Sequence, residues 1–249
     1  MIGKVTIVGL GPGDKSYMTA EVSEVIRNAS VIIGYKKYIS LIPPRPNLQL
    51  NSSDNRNEKK RAIEAIKFAL NGKDVVIISS GDPGIFAMAS VFYESLNEGP
   101  DSWKKINFKV LPGITAMLAA ASKVGAPLGH DFCVINLSDN LKPWKLIEKR
   151  IRLSIECDYV IAIYNPRSKA RPDLLEMVLS IFKQTNNVNR YILFAKAVST
   201  KKEKISLIKL NDAKPEMADM HTIVIIGSSK SKVIKINGKK IFYTPRSSN

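Results

Sequence analysis

The sequence predicts an α/β protein of two domains, the second carrying an antiparallel section. Three observations support this. The chain has 249 residues, long for one compact domain and suited to two of ~120 residues each. In both halves short apolar runs alternate with helical patterns, which implies right-handed βαβ crossovers and a mostly parallel sheet. The alternation is interrupted at Gly125-Ala126-Pro127-Leu128-Gly129, a segment rich in chain-breaking residues. The expected domains are residues 1–125 and 130–249.

The elements follow in chain order. Residues 4–9 read as a buried strand, 19–28 as a helix and 31–34 as a second strand. The polar segment 47–57 reads as a surface loop. A helix is expected over 57–70, because Ala62, Ile63, Ala65, Ile66, Ala69 and Leu70 share one face at helical spacing. Strand 74–79, helix 86–96, strand 107–111 and helix 115–124 complete the first domain. The second begins with strand 132–137, helix 143–155, strand 159–164, helix 172–184 and strand 191–195. Runs 205–209, 222–226, 233–236 and 241–243 then follow closely around a short helical stretch near 211–217. Hairpin-like spacing makes this the antiparallel section.

Composition excludes several classes. Hydrophobic residues make up 45% and charged residues 24%, as in soluble globular proteins and unlike disordered, collagenous or disulfide-framework chains. No apolar run approaches the ~18 residues needed to span a bilayer. The first residues enter the strand pattern directly, so no signal peptide is expected. Cys133 and Cys157 match no metal or redox spacing and fit a reducing cytoplasm. The unusual quantity is a net charge of +16, from 38 basic and 22 acidic residues. It is uneven: residues 1–129 carry +5 and residues 130–249 carry +11. Such an excess suggests either a polyanionic partner, nucleic acid or small molecule, or a solvated lysine-rich surface.

Three Gly/Pro loops follow three expected strands. Gly9-Leu10-Gly11-Pro12-Gly13-Asp14 departs from a dinucleotide fingerprint. Asp14 replaces the third glycine and would repel pyrophosphate, and Pro12 removes a backbone N–H. No phosphate-binding Walker loop is present. Ser79-Ser80-Gly81-Asp82-Pro83-Gly84-Ile85 lies at a strand's carboxyl end, where open α/β sheets bind ligands. Gly81 and Gly84 permit close backbone approach. Asp82 suits a ribose or amine partner, but as a single residue it reads first as a cap for the helix near Phe86. In Leu111-Pro112-Gly113-Ile114-Thr115-Ala116, Thr115 reads as a helix N-cap. Together the three loops point to one binding crevice.

The second half offers fewer signals. His130, one of two histidines, stands beside Asp131 and forms an acid/base candidate, although a lone histidine is more often structural. Arg167, in Tyr164-Asn165-Pro166-Arg167-Ser168, suits bidentate pairing with a carboxylate or a solvated turn. His221 reads as structural.

The three loops, in this order and spacing, resemble the tetrapyrrole methylase family over nearly the whole chain. Ile33-Gly34-Tyr35-Lys36-Lys37-Tyr38, Ser80 through Ala89, Gly125 through Cys133, Leu137-Ser138-Asp139, Tyr164 through Ser168 and Tyr243-Thr244-Pro245-Arg246 resemble its ring-contracting branch. Tyr35 stands where uroporphyrinogen methylases have an acidic residue. The resemblance implies two α/β domains with a ligand cleft between them. It implies methyl transfer from S-adenosylmethionine (SAM), leaving S-adenosylhomocysteine, to C-17 of precorrin-3B or cobalt-factor III, with contraction of the macrocycle. Cobalt would belong to the substrate, so no protein metal site is expected. Carried over by position, SAM would meet Pro12, Ser80, Gly81, Asp82, Ile85, Thr115, Ala116, Asn165 and Ala197. The family often has Met near Asn165 and Gly near Ala197. His130 and Asp131 are the acid/base candidates, and Lys36, Lys37, Arg167 and Arg246 the candidates for the substrate's carboxylates. A homodimer without membrane or nucleic-acid partners is implied. The competing readings are a family member with another macrocycle position or a protein or RNA acceptor, and a basic nucleic-acid-binding protein, for which no recognised binding motif is present.

Overall fold

The computed structural model describes residues 1–54 and 56–247. The chain divides into two compact units, Met1–Thr115 and Ala116–Asn249.

The first unit contains β1 (Lys4–Gly9), α1 (Ala20–Asn28), β2 (Val31–Tyr35), α2 (Lys36–Ile39), β3 (Gln49–Ser53), α3 (Glu58–Leu70), β4 (Val75–Ser79), α4 (Met88–Glu98) and β5 (Asn107–Leu111). The strands form one parallel sheet in the order β3-β2-β4-β1-β5. Its central strands are largely apolar and buried, Thr6 of β1 included, as double-sided burial requires. Alternate residues serve opposite faces: Val5, Ile7, Ile33 and Ile77 pack with Ala65, Ile66 and Phe92, and Val8, Ile32 and Ile78 with Val22. Thr19 starts α1 by accepting the Val22 N–H at its hydroxyl, 3.2 Å away, as N-caps do. Gly9 pairs with Ser79 and Val8 with Leu111, so the carboxyl ends of β4, β1 and β5 lie side by side.

Two expectations for this unit need correction. The segment 47–57 is not simply a loop, because it contains β3, paired in parallel with β2. Asn55 of that segment lies outside the described residues. A polar edge strand is held by backbone bonds and needs no apolar alternation, so it resembles a loop in sequence. Helix α4 begins at Met88, not 86, because Phe86 has φ +53° and Ala87 is extended. The buried face of α3 also includes Arg61 beside Ala62, Ala65, Ile66 and Ala69.

The second unit contains α5 (Ala116–Val124), β6 (Gly125–Ala126), β7 (Phe132–Asn136), α6 (Trp144–Glu156), β8 (Val160–Tyr164), α7 (Leu174–Gln184), β9 (Tyr191–Lys196), β10 (Lys204–Lys209), β11 (Thr222–Ile226), β12 (Lys232–Ile236) and β13 (Lys239–Tyr243). A five-stranded sheet runs β10-β9-β11-β8-β7. β7 and β8 are parallel, whereas β10 and β11 run against their neighbours, which is the antiparallel section. Asn237 and Gly238, at φ +49° and +76°, form the two-residue turn between β12 and β13. The stretch near 211–217 is two 3₁₀ turns, Leu210–Asp212 and Pro215–Met217.

Helix α5 falls with this unit, whereas the break at 125–129 was expected to leave it in the first. It packs against β11, β13 and β6, and β6 pairs with β13. A Gly/Pro-rich segment is thus compatible with a short paired strand inside a unit. The core of the second unit gathers Ile147, Ile151, Ile163, Leu175, Phe182 and Val224.

Phe182 is fully buried. Its replacement by Ala should lower stability by about 3–5 kcal/mol in urea unfolding, the usual cost of removing a buried phenyl ring.

Candidate active site

In the first unit the three Gly/Pro loops converge through their backbones. Gly11 and Gly81 form an antiparallel bridge: Gly81 N donates to Gly11 O at 2.8 Å and Gly11 N to Gly81 O at 3.2 Å. A Cβ on Gly9 would sit 2.3 Å from Gly81 O, and one on Gly113 only 2.1 Å from it. Neither distance is possible, so both positions require glycine. Asp82 fastens the assembly: its Oδ1 accepts from Gly84 N at 2.8 Å and its Oδ2 from Gly113 N at 3.0 Å.

The expected helix cap at Asp82 is therefore replaced by a cross-loop staple. The cap of α4 is Ala87, without a side-chain bond. The cause is the left-handed Phe86, which delays the helix. Asp14 caps the 3₁₀ turn Lys15–Tyr17 by accepting Ser16 N at 2.8 Å. No α-helix starts at this loop, since α1 begins at Ala20, so the helix-terminus phosphate site of a dinucleotide fold is missing.

Pro12, Gly81 and Asp82 are half-buried, Ser80 and Ile85 exposed, and Thr115 buried. Ile85 and Phe86 present apolar surface on the β4–α4 loop, at 38% and 50% exposure. A loop of close-packed glycines with exposed apolar groups and a buried hydroxyl fits a ligand carrying a flat ring and polar edges. Lys36 and Lys37 occupy α2, directly after β2, and both are exposed. Lys36 pairs with Asp54 at 2.8 Å, which raises its own pKa and lowers that of the carboxyl.

In the second unit, the carboxyl ends of β7, β8 and β9 share one edge, because β8 and β9 both run against β11. Asn165 lies there at φ +52° and donates Nδ2 to Asn136 Oδ1 at 3.0 Å. Arg167 gives its Nε–H to Pro172 O at 3.1 Å, which fixes the side chain and leaves further donors of the planar fork. Ala197 follows β9 at φ +47° and Ser199 at φ +61°. Glycine would adopt these angles without strain. Non-glycine residues held this way cluster at ligand sites. Ala116 opens α5, and the next N–H, of Met117, donates to the Tyr164 hydroxyl at 3.1 Å.

His130 and Asp131 stand elsewhere. They precede β7, at the opposite end of a strand that spans ~16 Å. The structure does not bring them together with Asn165, Arg167 and Ala197. His130 Nδ1 accepts the Asp131 N–H at 2.7 Å, so the neutral ring carries its proton on Nε2. The ring is thereby set as a donor. The Asp131 carboxylate lies 3.7 Å from Nδ1 and is largely exposed. Arg246 is exposed and follows Thr244, whose hydroxyl donates to Pro127 O at 2.6 Å. It therefore belongs with the segment leading to His130.

Sequence reasoning missed Arg171. Its guanidinium pairs with Asp139 and Asn140, joining the β7 and β8 exits. Its only sequence signal is a second arginine four positions after Arg167. Also missed was Lys196, paired with Asp219 at 2.5 Å directly before Ala197. Burial alone would push the Asp219 carboxyl up. Lys196, the His221 N–H and the Thr222 hydroxyl hold it below its ordinary value.

Comparison with known proteins gives a consistent result. The family model described as "Tetrapyrrole (Corrin/Porphyrin) Methylases" matches residues 4–214. A Sinorhizobium protein named precorrin-3B C(17)-methyltransferase is 42% identical over 247 residues, covering 99% of this chain and 97% of that one. A Priestia megaterium protein named cobalt-factor III methyltransferase is 38% identical over 235 residues, covering 93% of this chain and 43% of that longer one. The crystal structure of the methyltransferase CobJ superposes with a TM-score of 0.92 at 48% identity, covering 98% of this chain and 100% of that one.

Two predictions follow from the site's geometry. Gly113→Ala should cost about 1–3 kcal/mol in urea unfolding, the usual penalty for forced overpacking. Asp219→Asn should lower the melting temperature at pH 7. Because the folded carboxyl has a depressed pKa, its contribution is present above the unfolded value of ~3.9 and lost as pH falls through the folded one. The gap between parent and variant should therefore close in thermal melts taken at progressively lower pH.

Proposed function

We propose a function from one premise: the chain belongs to the tetrapyrrole (corrin/porphyrin) methylase family. It is a SAM-dependent C-methyltransferase of cobalamin biosynthesis. It methylates C-17 of precorrin-3B or cobalt-factor III, with contraction of the macrocycle. The observation that carries this reading is the 42% identity, over 99% of this chain, to a relative named for that reaction. The first unit's glycine-lined loops and the second unit's basic loops are consistent with it.

SAM, when bound, supplies a methyl group already activated on a sulfonium. The chain's task is to hold and align reactants, which by itself accounts for much of the rate of an in-line displacement. In the first unit Pro12, Ser80, Gly81, Asp82, Ile85 and Thr115 hold SAM, mostly through backbone. The Asp82 staple keeps the loops rigid before binding. In the second unit Ala116, Asn165 and Ala197 are the positions the family resemblance assigns to SAM. The substrate is a polycarboxylate. Arg167 and Arg246 suit its carboxylates through charge-assisted bonds, and Lys36 and Lys37 add point charges. Ring contraction needs proton movements. His130 offers its Nε2–H as a hydrogen bond to the macrocycle during one of them, with Asp131 beside it as a carboxylate base. The reading carries with it a homodimer in the cytoplasm, which light scattering of the purified chain checks. Among the described residues no helix is long and apolar enough to cross a membrane.

Incubation with SAM and either precorrin-3B or cobalt-factor III, in air and without oxygen, tests the assignment. A product one methyl group heavier, with the absorbance of a contracted ring, is expected from one substrate. Unchanged macrocycle in all four conditions, with tight RNA binding and no SAM binding by calorimetry, would sink it. His130→Ala should slow single-turnover contraction by at least ~100-fold, the low end for loss of one positioned hydrogen-bond donor. An unchanged rate removes His130 from the mechanism.

A further inference from the structure

Arg61 is the least expected residue of the first unit. It lies on the inward face of α3 with 3% exposure. A buried guanidinium ordinarily meets a carboxylate, yet among the described residues none lies within ion-pair distance of Arg61. Its partners are neutral. Nη1 donates to Ser53 Oγ at 3.0 Å and to Asp54 O at 2.8 Å. Nη2 faces Met88 Sδ at 3.7 Å. Nε is buried with no partner among the described residues. Burial pushes the guanidinium's pKa below the ordinary arginine value, with Glu58 and Tyr38 opposing. Such a group is costly to keep, and an apolar side chain would fill the space at lower cost.

The places it touches suggest what it does. Ser53 ends β3, and Asp54 follows it. Asp54 also holds Lys36, the first residue after β2. Met88 is the first residue of α4 and directly follows the loop that contains Gly81, Asp82, Ile85 and the left-handed Phe86. One buried fork therefore connects the exits of β2, β3 and the β4–α4 loop. The loop is fixed at one end by the Asp82 staple to Gly113 and at the other by Met88 against Arg61.

We propose that Arg61 is a positioning residue for cofactor binding, fixing the far end of the β4–α4 loop through Met88 and the β3 exit. The inference rests on the SAM-dependent reading given above. A lysine retains the charge but lacks the planar fork that reaches Ser53, Asp54 and Met88 together.

The test uses the full chain. SAM affinity is measured by titration calorimetry for the parent, Arg61→Lys and Arg61→Ala, each well below its own melting temperature. Turnover gives KM for SAM and kcat. Arg61→Lys should bind SAM roughly tenfold more weakly, as expected from losing one charge-assisted hydrogen bond, with kcat at saturating SAM nearly unchanged. Millimolar guanidinium chloride should restore affinity to Arg61→Ala, and equal sodium chloride should not. If Arg61→Ala does not fold, Arg61→Lys alone decides. A folded Arg61→Lys that binds SAM as tightly as the parent overturns the inference, as does an Arg61→Ala chain that guanidinium leaves unimproved. A parent chain without SAM affinity overturns the functional reading and this inference with it.

Discussion

Gly9 ends β1, Gly81 and Gly113 follow β4 and β5, and their backbones meet with no room for a side chain between them. The sheet makes this contact possible by placing β4, β1 and β5 next to one another in parallel register. Asp82 makes it permanent, because its two oxygens bind loop N–H groups on either side of the contact. Burying three backbones this closely is favourable only if their polar groups are satisfied. The Gly11–Gly81 bridge and the carboxylate provide that. The result is a rigid edge held together chiefly by main-chain contacts and one carboxylate.

The second unit uses a different device. Its loops at the carboxyl ends of β8 and β9 contain no glycine at the bends. Asn165, Ala197 and Ser199 take left-handed angles themselves. Side-chain bonds hold them: Asn165 to Asn136, and Ser199 N to Glu203 Oε2 at 2.6 Å, with Glu203 also 3.4 Å from Lys123. Strain stored this way persists only where the surroundings over-determine it. The polar ties are therefore part of the loop geometry and not surface decoration.

The charge excess divides along similar lines. Lys232, Lys235, Lys239 and Lys240 crowd the β12–β13 hairpin and are exposed. Lys235 stands directly opposite Lys240, a repulsive arrangement that water and salt screen. Much of the second half's +11 is thus a solvated face. Other cations have defined partners: Arg167 on Pro172, Arg171 on Asp139, Lys196 on Asp219, Arg152 on Glu148 and the buried Arg190 on Asp158. Exposed pairs of this kind contribute little stability but set where a fork or an ammonium sits.

The sequence by itself determined the alternation of strands and helices, the apolar central strands and the three glycine loops. Each is a local pattern, written in period, punctuation and residue size, and the family resemblance rests on the same residues. The tertiary structure decided what depends on pairing between distant segments. β3 was illegible because an edge strand is held by backbone. The role of Asp82 was misread because its partner Gly113 is thirty-one positions away. Helix α5 joined the second unit through β11 and β13, which follow it by many residues. Arg61, a charged residue on a helix, carries no sequence sign of burial without a counter-ion. Only packing could place it beneath Ser53 and Met88. Strand polarity, likewise, put His130 at the opposite end of β7 from Asn136 and Asn165.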